Sequence, residues 1–430
     1  MSEDENPNRD FRWEVPEYFN FGATVDAFGA EPGRLAILCE DHDGNRVRLC
    51  FGDIREQSNR IANVLVGLGV KPGNPIIIAL PRITMWQAAY VGALKAGAIV
   101  IPCEAALRGT DLLYRANHSG AVAIIAAIEN AEVVSDLRSQ CPELKHYLIA
   151  GSPRSGWLGL RASMATASAA FSPMRTRATD PAICLYTSGT AHEPKAVLQS
   201  HAYTWCHRYI GSHWLGVRPG ELHWGTADTG GARAGYGVLF GPWMNGVATF
   251  MYNGALEPQK QLDLLARYSI ATLCATPTEY LRLMREDLAS HKFPALRHCT
   301  ATGEALNAEI IGVWHECFGV TIHDGYGQAE TTIAVANMPG MEVKAGSMGR
   351  PFLGHDVRVL GAEGKETSEG EIGEIAIRIN PERPPSLLLQ YWKNPAANAA
   401  AFRGDYYFTG DLASRDSDGY LWFAGRARGD

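Results

Sequence analysis

Hydrophobic and polar positions follow two periods along this chain. From Asp53, which can cap a helix, Ile61, Leu65 and Leu68 recur at helical spacing. Gly67, Gly69 and Pro72-Gly73 end that helix. Ile76 to Leu80 is then a continuous apolar run of strand length, which suits a strand buried on both faces. A helix over Trp86 to Ala96, a strand over Ala98 to Ile101, a helix from Thr110 and a strand over Ala121 to Ala126 follow. Strand and helix in this order predict a parallel, doubly wound sheet.

Residues 151–180 are rich in Ser, Ala, Arg and Gly and read as a linker. A second alternating series starts at Ile183. It has strands over Val247 to Tyr252, Ile270 to Cys274, Arg297 to Ala301 and Val320 to His323, with helices over Gln259 to Tyr268, after Pro277 and over Ala305 to Phe318. After Lys344 the elements shorten to strands at Val357 to Val359, Glu374 to Ile379 and Tyr420 to Phe423, separated by Gly and acidic residues. The predicted fold class is α/β: two α/β lobes in an αβαβα arrangement with mostly parallel sheets, and a small antiparallel β-barrel. The expected bounds are a disordered tail over 1–15, lobes over 16–175 and 176–343, the second carrying the phosphate loop, and the barrel over 344–425.

The chain has 430 residues, 46% of them hydrophobic and 20% charged, which fits a well-packed globular protein. A net charge of −7 argues against a nucleic-acid partner. The nine cysteines form no CxxC pair, which speaks for reduced thiols rather than a disulfide framework or a zinc cage. The polar, acidic N-terminus lacks the pattern of a secretory signal, and no apolar stretch is long enough to span a bilayer; a cytoplasmic protein is the expectation.

Three segments carry candidate chemistry. Leu185 to Lys195 follows a strand and holds Thr187, Ser188, Gly189, Thr190 and Lys195, groups that can cradle phosphate oxygens. It is not a Walker A loop, and an ordinary Ser/Thr turn is the other reading. Ala301 to Ala305 and Asp324 to Glu330 both sit past predicted strands, where α/β sheets bind ligands. Tyr326 offers a stacking face there, and Glu330 a carboxylate for a hard cation. Phe408-Thr-Gly-Asp411 and Phe423-Ala-Gly-Arg426 pair an acid with a base suited to hydroxyls and phosphates, or form a surface turn. His201, His207 and His213 recur every six residues and read as packing or surface residues, and Trp205, Trp214 and Trp224 as core or pocket wall.

Together these motifs resemble the adenylate-forming superfamily, specifically acyl-CoA synthetases of the medium-chain type. The likeness starts at Pro16-Glu-Tyr-Phe-Asn-Phe21 and includes Leu80-Pro-Arg82, Asp111-Leu-Leu-Tyr-Arg115 and Tyr186-Thr-Ser-Gly-Thr190. It continues through Pro277-Thr278, Gly303-Glu304, Tyr326-Gly-Gln328, Gly346-Ser-Met-Gly349 and Asp418-Gly-Tyr420. The resemblance implies two half-reactions: ATP and a carboxylic acid give acyl-AMP and pyrophosphate, then CoA displaces AMP. It implies phosphate contacts from Thr187 to Lys195, and adenylate contacts from Gly303, Glu304, Asp324, Gly325, Tyr326, Gly327, Gln328, Ala329, Asp411, Phe423 and Arg426. Glu330 would bind Mg2+, and Gly230, Gly231, Ala232 and Thr302 would line the acyl pocket. The family's small mobile C-terminal domain would begin at a hinge after Gly425-Arg426, which puts residues 426–430 at the hinge and the adenylation lysine beyond Asp430.

The chain also departs from the family pattern. Gly231 stands where relatives carry a Trp along the acyl chain, which suggests a bulky hydrophobic acid of specialised metabolism. Ala191 and His192 replace a hydroxyl and a Gly of the phosphate loop, and Ala329 replaces a Thr near the magnesium. These predict weak adenylation and better use of a preformed acyl-AMP with CoA, the adenylate coming from a separate adenylating enzyme. A fully competent synthetase, an AMP or acyl-adenylate binder, and an enzyme loading a carrier protein are the alternatives.

Overall fold

The computed structural model describes residues 11–106, 108–187 and 194–427. The expected first helix runs over Phe51–Gly67. Asp53 lies one turn inside it and reaches back, accepting the Cys50 N–H at 2.7 Å. The apolar run becomes the strand Pro75–Ala79, buried at every position. It is flanked by the parallel strands Ile99–Pro102 and Ala123–Ala127.

Two mixed, mostly parallel sheets carry the fold, one of eight strands and one of nine. A third, five-stranded antiparallel sheet holds Val357–Leu360, Gly373–Arg378, Phe402–Arg403, Tyr406–Arg415 and Leu421–Arg426. The expected boundary at 175/176 does not separate the sheets. Leu35–Asp41 and Arg46–Cys50, near the N-terminus, form one edge of the nine-stranded sheet. The hairpin Pro181–Thr187 and Lys195–Ser200 belongs to the eight-stranded sheet, so the candidate phosphate loop leaves the first sheet, not the second lobe. Gln390–Tyr391 and Arg350–Pro351, from the expected barrel segment, edge the eight- and nine-stranded sheets respectively. A local strand pattern carries no record of which sheet receives the strand.

Two other expectations change. Residues 11–15 are not tail: Phe11 and Trp13 pack edge-on against Tyr209, and the Trp13 indole donates to the Gly354 carbonyl. The 151–180 segment contains the helix Leu160–Thr166 and is pinned to the helix Phe51–Gly67. Asn59 donates to the Ala169 carbonyl, Arg60 to that of Ala167, and Asn63 to those of Ser168 and Ala170. Side-chain amides on backbone carbonyls leave no hydrophobic period to read.

The two large sheets are braced at the carboxyl ends of their strands. Arg82, just past Pro75–Ala79, donates to the carbonyls of Tyr252, Thr226 and Gly254 on the other sheet. The Thr229 hydroxyl donates to the Leu80 carbonyl at 2.6 Å. Gly230 lies against the backbone after Ile99–Pro102, where a Cβ would stand 2.2 Å from the Glu104 nitrogen. A Cβ on the next residue, Gly231, would meet nothing within 4 Å. Gly230→Ala is therefore expected to cost ~1–3 kcal/mol through backbone displacement. Gly231→Ala should stay within ~0.5 kcal/mol. Thermal unfolding of the two variants compares them directly.

Candidate active site

Several described candidate residues lie at the carboxyl ends of parallel strands, Gly303 and Glu304 just past His298–Thr302 and Tyr326 to Gln328 at the end of Ile322–Gln328, the side on which the crevice of an α/β sheet takes its ligands. Thr187 and Lys195 are cross-strand partners closing the described part of the hairpin. Ser188, Gly189 and Thr190, with the substituted Ala191 and His192, lie outside the described residues. The Lys195 ammonium sits 5.6 Å from the centre of the Tyr391 ring. Tyr391 in turn donates its hydroxyl to Glu330 Oε1 at 3.0 Å.

Glu330 is buried, and its backbone carbonyl accepts the Leu388 N–H. Burial pushes its carboxyl above the ordinary range, against the Tyr391 hydrogen bond and the Lys195 charge, which pull it down. A nucleotide-bound magnesium takes one or two protein carboxylates, the rest of its shell being phosphate and water. Glu330 fits that demand as the single protein ligand. Among the described residues no group of three or more His, Cys, Asp or Glu is placed to hold a metal unaided.

A polar cluster joins the nine-stranded sheet to the antiparallel one. Asp411 Oδ2 accepts the Tyr326 hydroxyl and the Gln328 amide, both at 2.7 Å. Gln328 also donates to the Thr409 carbonyl. Asp411 and Arg426 are register partners on neighbouring strands, with Nε 3.2 Å from Oδ1. That contact is ionic only: Oδ1 is buried and, among the described residues, has no hydrogen-bond donor. A buried carboxylate oxygen without a donor is costly and calls for one. Burial and the nearby Asp411 charge keep the Tyr326 phenol protonated, so it remains a donor. Two donors already share Oδ2, so Asp411 offers an incoming pair of hydroxyls mainly one oxygen.

Other expected adenylate contacts have structural employment. Gly325 is where the Trp214 indole packs, and a Cβ would come within 2.5 Å of the ring. Gly327 faces the returning strand Thr332–Ala336, with the Thr332 carbonyl 1.6 Å from an added Cβ. The Glu304 carboxylate accepts the Thr278 hydroxyl and N–H at the start of the helix Pro277–Leu283. Gly303 ends the strand His298–Thr302 at φ +99, a conformation that glycine adopts freely. Ala329 is half-buried, its carbonyl held by the Gln199 amide at 2.6 Å, and Phe423 is exposed on Leu421–Arg426.

Asp324 is buried behind this face and, among the described residues, accepts only the Gly325 N–H. Desolvation raises its carboxyl from 3.8 to about 8. The native state thus holds a proton there that the unfolded chain releases near pH 4. This contribution to stability is complete below that pH and is lost as pH rises toward 8. Asp324→Asn should flatten the fall in stability over that window and raise stability at pH 8 by a few kcal/mol, as denaturant titrations at several pH values would show.

A narrow apolar cavity lies beside the crevice. Gly231 and Ala232 line it together with Trp86, Tyr90, Tyr203 and Phe240. Its free volume of about 10 Å3 admits about one water molecule. Gly231 itself is exposed at the mouth. The cavity is bordered by a π-helical turn over Gly235–Leu239. Two expected pocket residues stand elsewhere: Gly230 is the packing glycine at Glu104, and Thr302 lies behind Tyr236, whose hydroxyl reaches it at 3.5 Å. The aromatic walls, Gln199 and Tyr391 were not foreseen; apart from Trp86 and Tyr90, one turn apart on the helix Thr84–Lys95, they come from separate elements. His201 and His207 are buried on the helix His201–His213, while His213 is exposed at its end. Trp205, Trp214 and Trp224 are all in the core.

Comparison with known proteins identifies the family and the fold. The family described as AMP-binding enzyme matches residues 26–392. The human mitochondrial acyl-coenzyme A synthetase ACSM5 is 37% identical over 423 residues, covering 96% of this chain and 73% of the relative. Human ACSM4 is 36% identical over 429 residues, with coverages of 96% and 73%. Among solved structures, the anthranilate CoA ligase AuaEII in complex with anthranoyl-AMP superposes with a TM-score of 0.89 at 26% identity, covering 96% of this chain and 79% of that one. The Brucella canis acyl-CoA synthetase gives 0.88 at 29% identity, with coverages of 96% and 76%. By sequence over nearly its whole length, and by fold, the chain belongs to the AMP-binding enzyme family, the adenylate-forming superfamily.

Proposed function

We propose that this protein is an acid–thiol ligase that makes an acyl-CoA through an acyl-AMP intermediate. The observation that carries the reading is the Tyr326–Gln328–Asp411–Arg426 cluster, with its donor-free carboxylate oxygen, at the strand ends beside Glu330. In the first half-reaction a substrate carboxylate oxygen attacks the α-phosphorus of ATP, and the bond to the β-phosphate oxygen breaks to release pyrophosphate. In the second, the CoA thiolate attacks the acyl carbon and AMP departs with the anhydride oxygen. Asp411 Oδ1 accepts a ribose hydroxyl, Arg426 supplies positive charge at that edge, and Lys195 faces the phosphates. Glu330 would hold a magnesium ion, which would supply positive charge to neutralise the phosphates.

Two finer features belong to the same proposal. The acid is apolar and bulky, its outer part resting at the open Gly231 mouth while the slender inner cavity takes little. Gly231→Trp would close that mouth, and is expected to shift the kcat/KM preference from bulky toward linear acids by about tenfold. An unchanged preference between octanoate and a polycyclic acid would refute the roomy mouth. Adenylation is the weaker half-reaction, because Ala329 lacks the hydroxyl that the family places near the α-phosphate. A separate adenylating enzyme then supplies the adenylate, in the cytoplasm, although the curated relatives are named as mitochondrial. Pyrophosphate release from ATP and acid, run beside CoA-dependent consumption of synthetic acyl-AMP, tests the reading. Consumption outpacing release supports it; equal or faster release identifies a fully competent synthetase.

A further inference from the structure

A second cavity, far larger than the one lined by Gly231, lies away from the candidate active site. It measures about 1050 Å3 and opens at the opposite end of the nine-stranded sheet. Leu222, Ala248 and Ala271 line it where three parallel strands begin. The active-site loops leave the far ends of the same sheet, after Gly225 and Thr302. A strand of five or six residues separates the two ends by roughly 17–20 Å.

Its charge is the unusual feature. Both Glu31 oxygens accept from Arg34 Nη1, and Glu221 pairs bidentately with Arg297, so the acids at the rim are already neutralised. Glu40, whose side chain is fully buried, faces three cations: Arg267 at 3.0 Å, Lys260 at 3.1 Å and Arg46 at 3.4 Å. The Tyr268 hydroxyl donates to the same carboxylate. One buried negative charge thus anchors three positive ones. Arg48 lies two residues beyond Arg46 on the same face of the edge strand Arg46–Cys50, opposite Leu38. It is exposed, and none of the described residues pairs with it. Four arginines, Arg34, Arg46, Arg48 and Arg267, and two glutamates, Glu31 and Glu221, line the cavity, so its wall holds two positive charges in excess, above a floor of Leu35, Leu38 and Leu222.

We propose that this cavity is a second ligand site, taking a soluble phosphate monoester with a short apolar body. A phosphate monoester carries nearly two negative charges and several acceptor oxygens, which match guanidinium forks. The leucine floor takes the apolar part. The site is independent of the nucleotide crevice.

Titration calorimetry with hexyl phosphate on the whole chain, with AMP present at saturating concentration, tests this. The expected result is one saturable site that binds hexyl phosphate more tightly than inorganic phosphate. Arg48→Glu, which leaves the Glu40 cluster untouched, should weaken it about tenfold, and Arg46→Ala with Arg48→Ala more. AMP affinity should be unchanged in both variants. Absence of binding in the wild type, or equal affinity in a folded Arg48→Glu protein, overturns the proposal. Co-sedimentation with phosphatidic acid vesicles without binding of hexyl phosphate also overturns it, assigning the patch to a membrane surface. If AMP fails to bind while hexyl phosphate binds as described, the nucleotide reading falls and this one stands.

Discussion

Ala329→Thr is expected to raise pyrophosphate release from ATP and acid by ~10²-fold, and to leave AMP affinity unchanged. The position lies between two groups of the candidate site, Gln328 on Asp411 and Glu330 beside Tyr391. Its backbone is held by the Gln199 amide on the Ala329 carbonyl, so a threonine would arrive without moving the chain. A hydroxyl aimed where negative charge develops on the α-phosphate stabilises the transition state more than bound ATP. Removing one such preorganised donor typically costs ~10²–10³ in rate, and restoring it should return a similar factor. Rapid pyrophosphate release by the unaltered protein would contradict the premise. A variant no faster than the parent would assign the deficit to another position.

Asp411→Ala should weaken binding of AMP and of acyl-AMP by roughly ten- to a hundredfold. A charge-assisted hydrogen bond from a ribose hydroxyl to Oδ1 is worth ~1.5–3 kcal/mol. The substitution also strands the Tyr326 hydroxyl and the Gln328 amide, both of which donate to Oδ2. Asp411→Asn separates the effects, because its carbonyl oxygen can still accept from those two donors while the charge facing Arg426 is gone. Calorimetry is expected to rank the affinities wild type, Asn, Ala. Unchanged affinity in Asp411→Ala would reduce the cluster to a brace between two sheets.

Strands such as Pro75–Ala79 and helices such as Phe51–Gly67 were legible because burial on one or both faces writes a period into the residues. Sheet membership was not. The strand pair Pro181–Thr187 and Lys195–Ser200 and the strand Leu35–Asp41 each join the sheet that a linear division gives to the other lobe. The polar centres were legible by residue type: Tyr326, Asp411 and Arg426 do converge, although 85 residues separate the first two. Residue type alone could not tell a glycine kept for a ligand from one kept for packing. Gly230 meets the Glu104 backbone and Gly325 the Trp214 ring, whereas Gly231 faces open space. The aromatic cavity walls were hidden for the opposite reason. Trp86, Tyr90, Tyr203 and Phe240 look like core residues one at a time, and only the fold brings them around one cavity.

The most direct test of the central claim mixes the whole chain with a synthetic acyl-AMP and CoA and follows both products by mass spectrometry. The account predicts acyl-CoA and AMP in equal amounts, formed faster than acyl-AMP hydrolyses alone and slowed by Asp411→Ala. Acyl-AMP that is bound but not converted, or that yields only free acid and AMP, would contradict it and leave a nucleotide-binding protein without thioester chemistry.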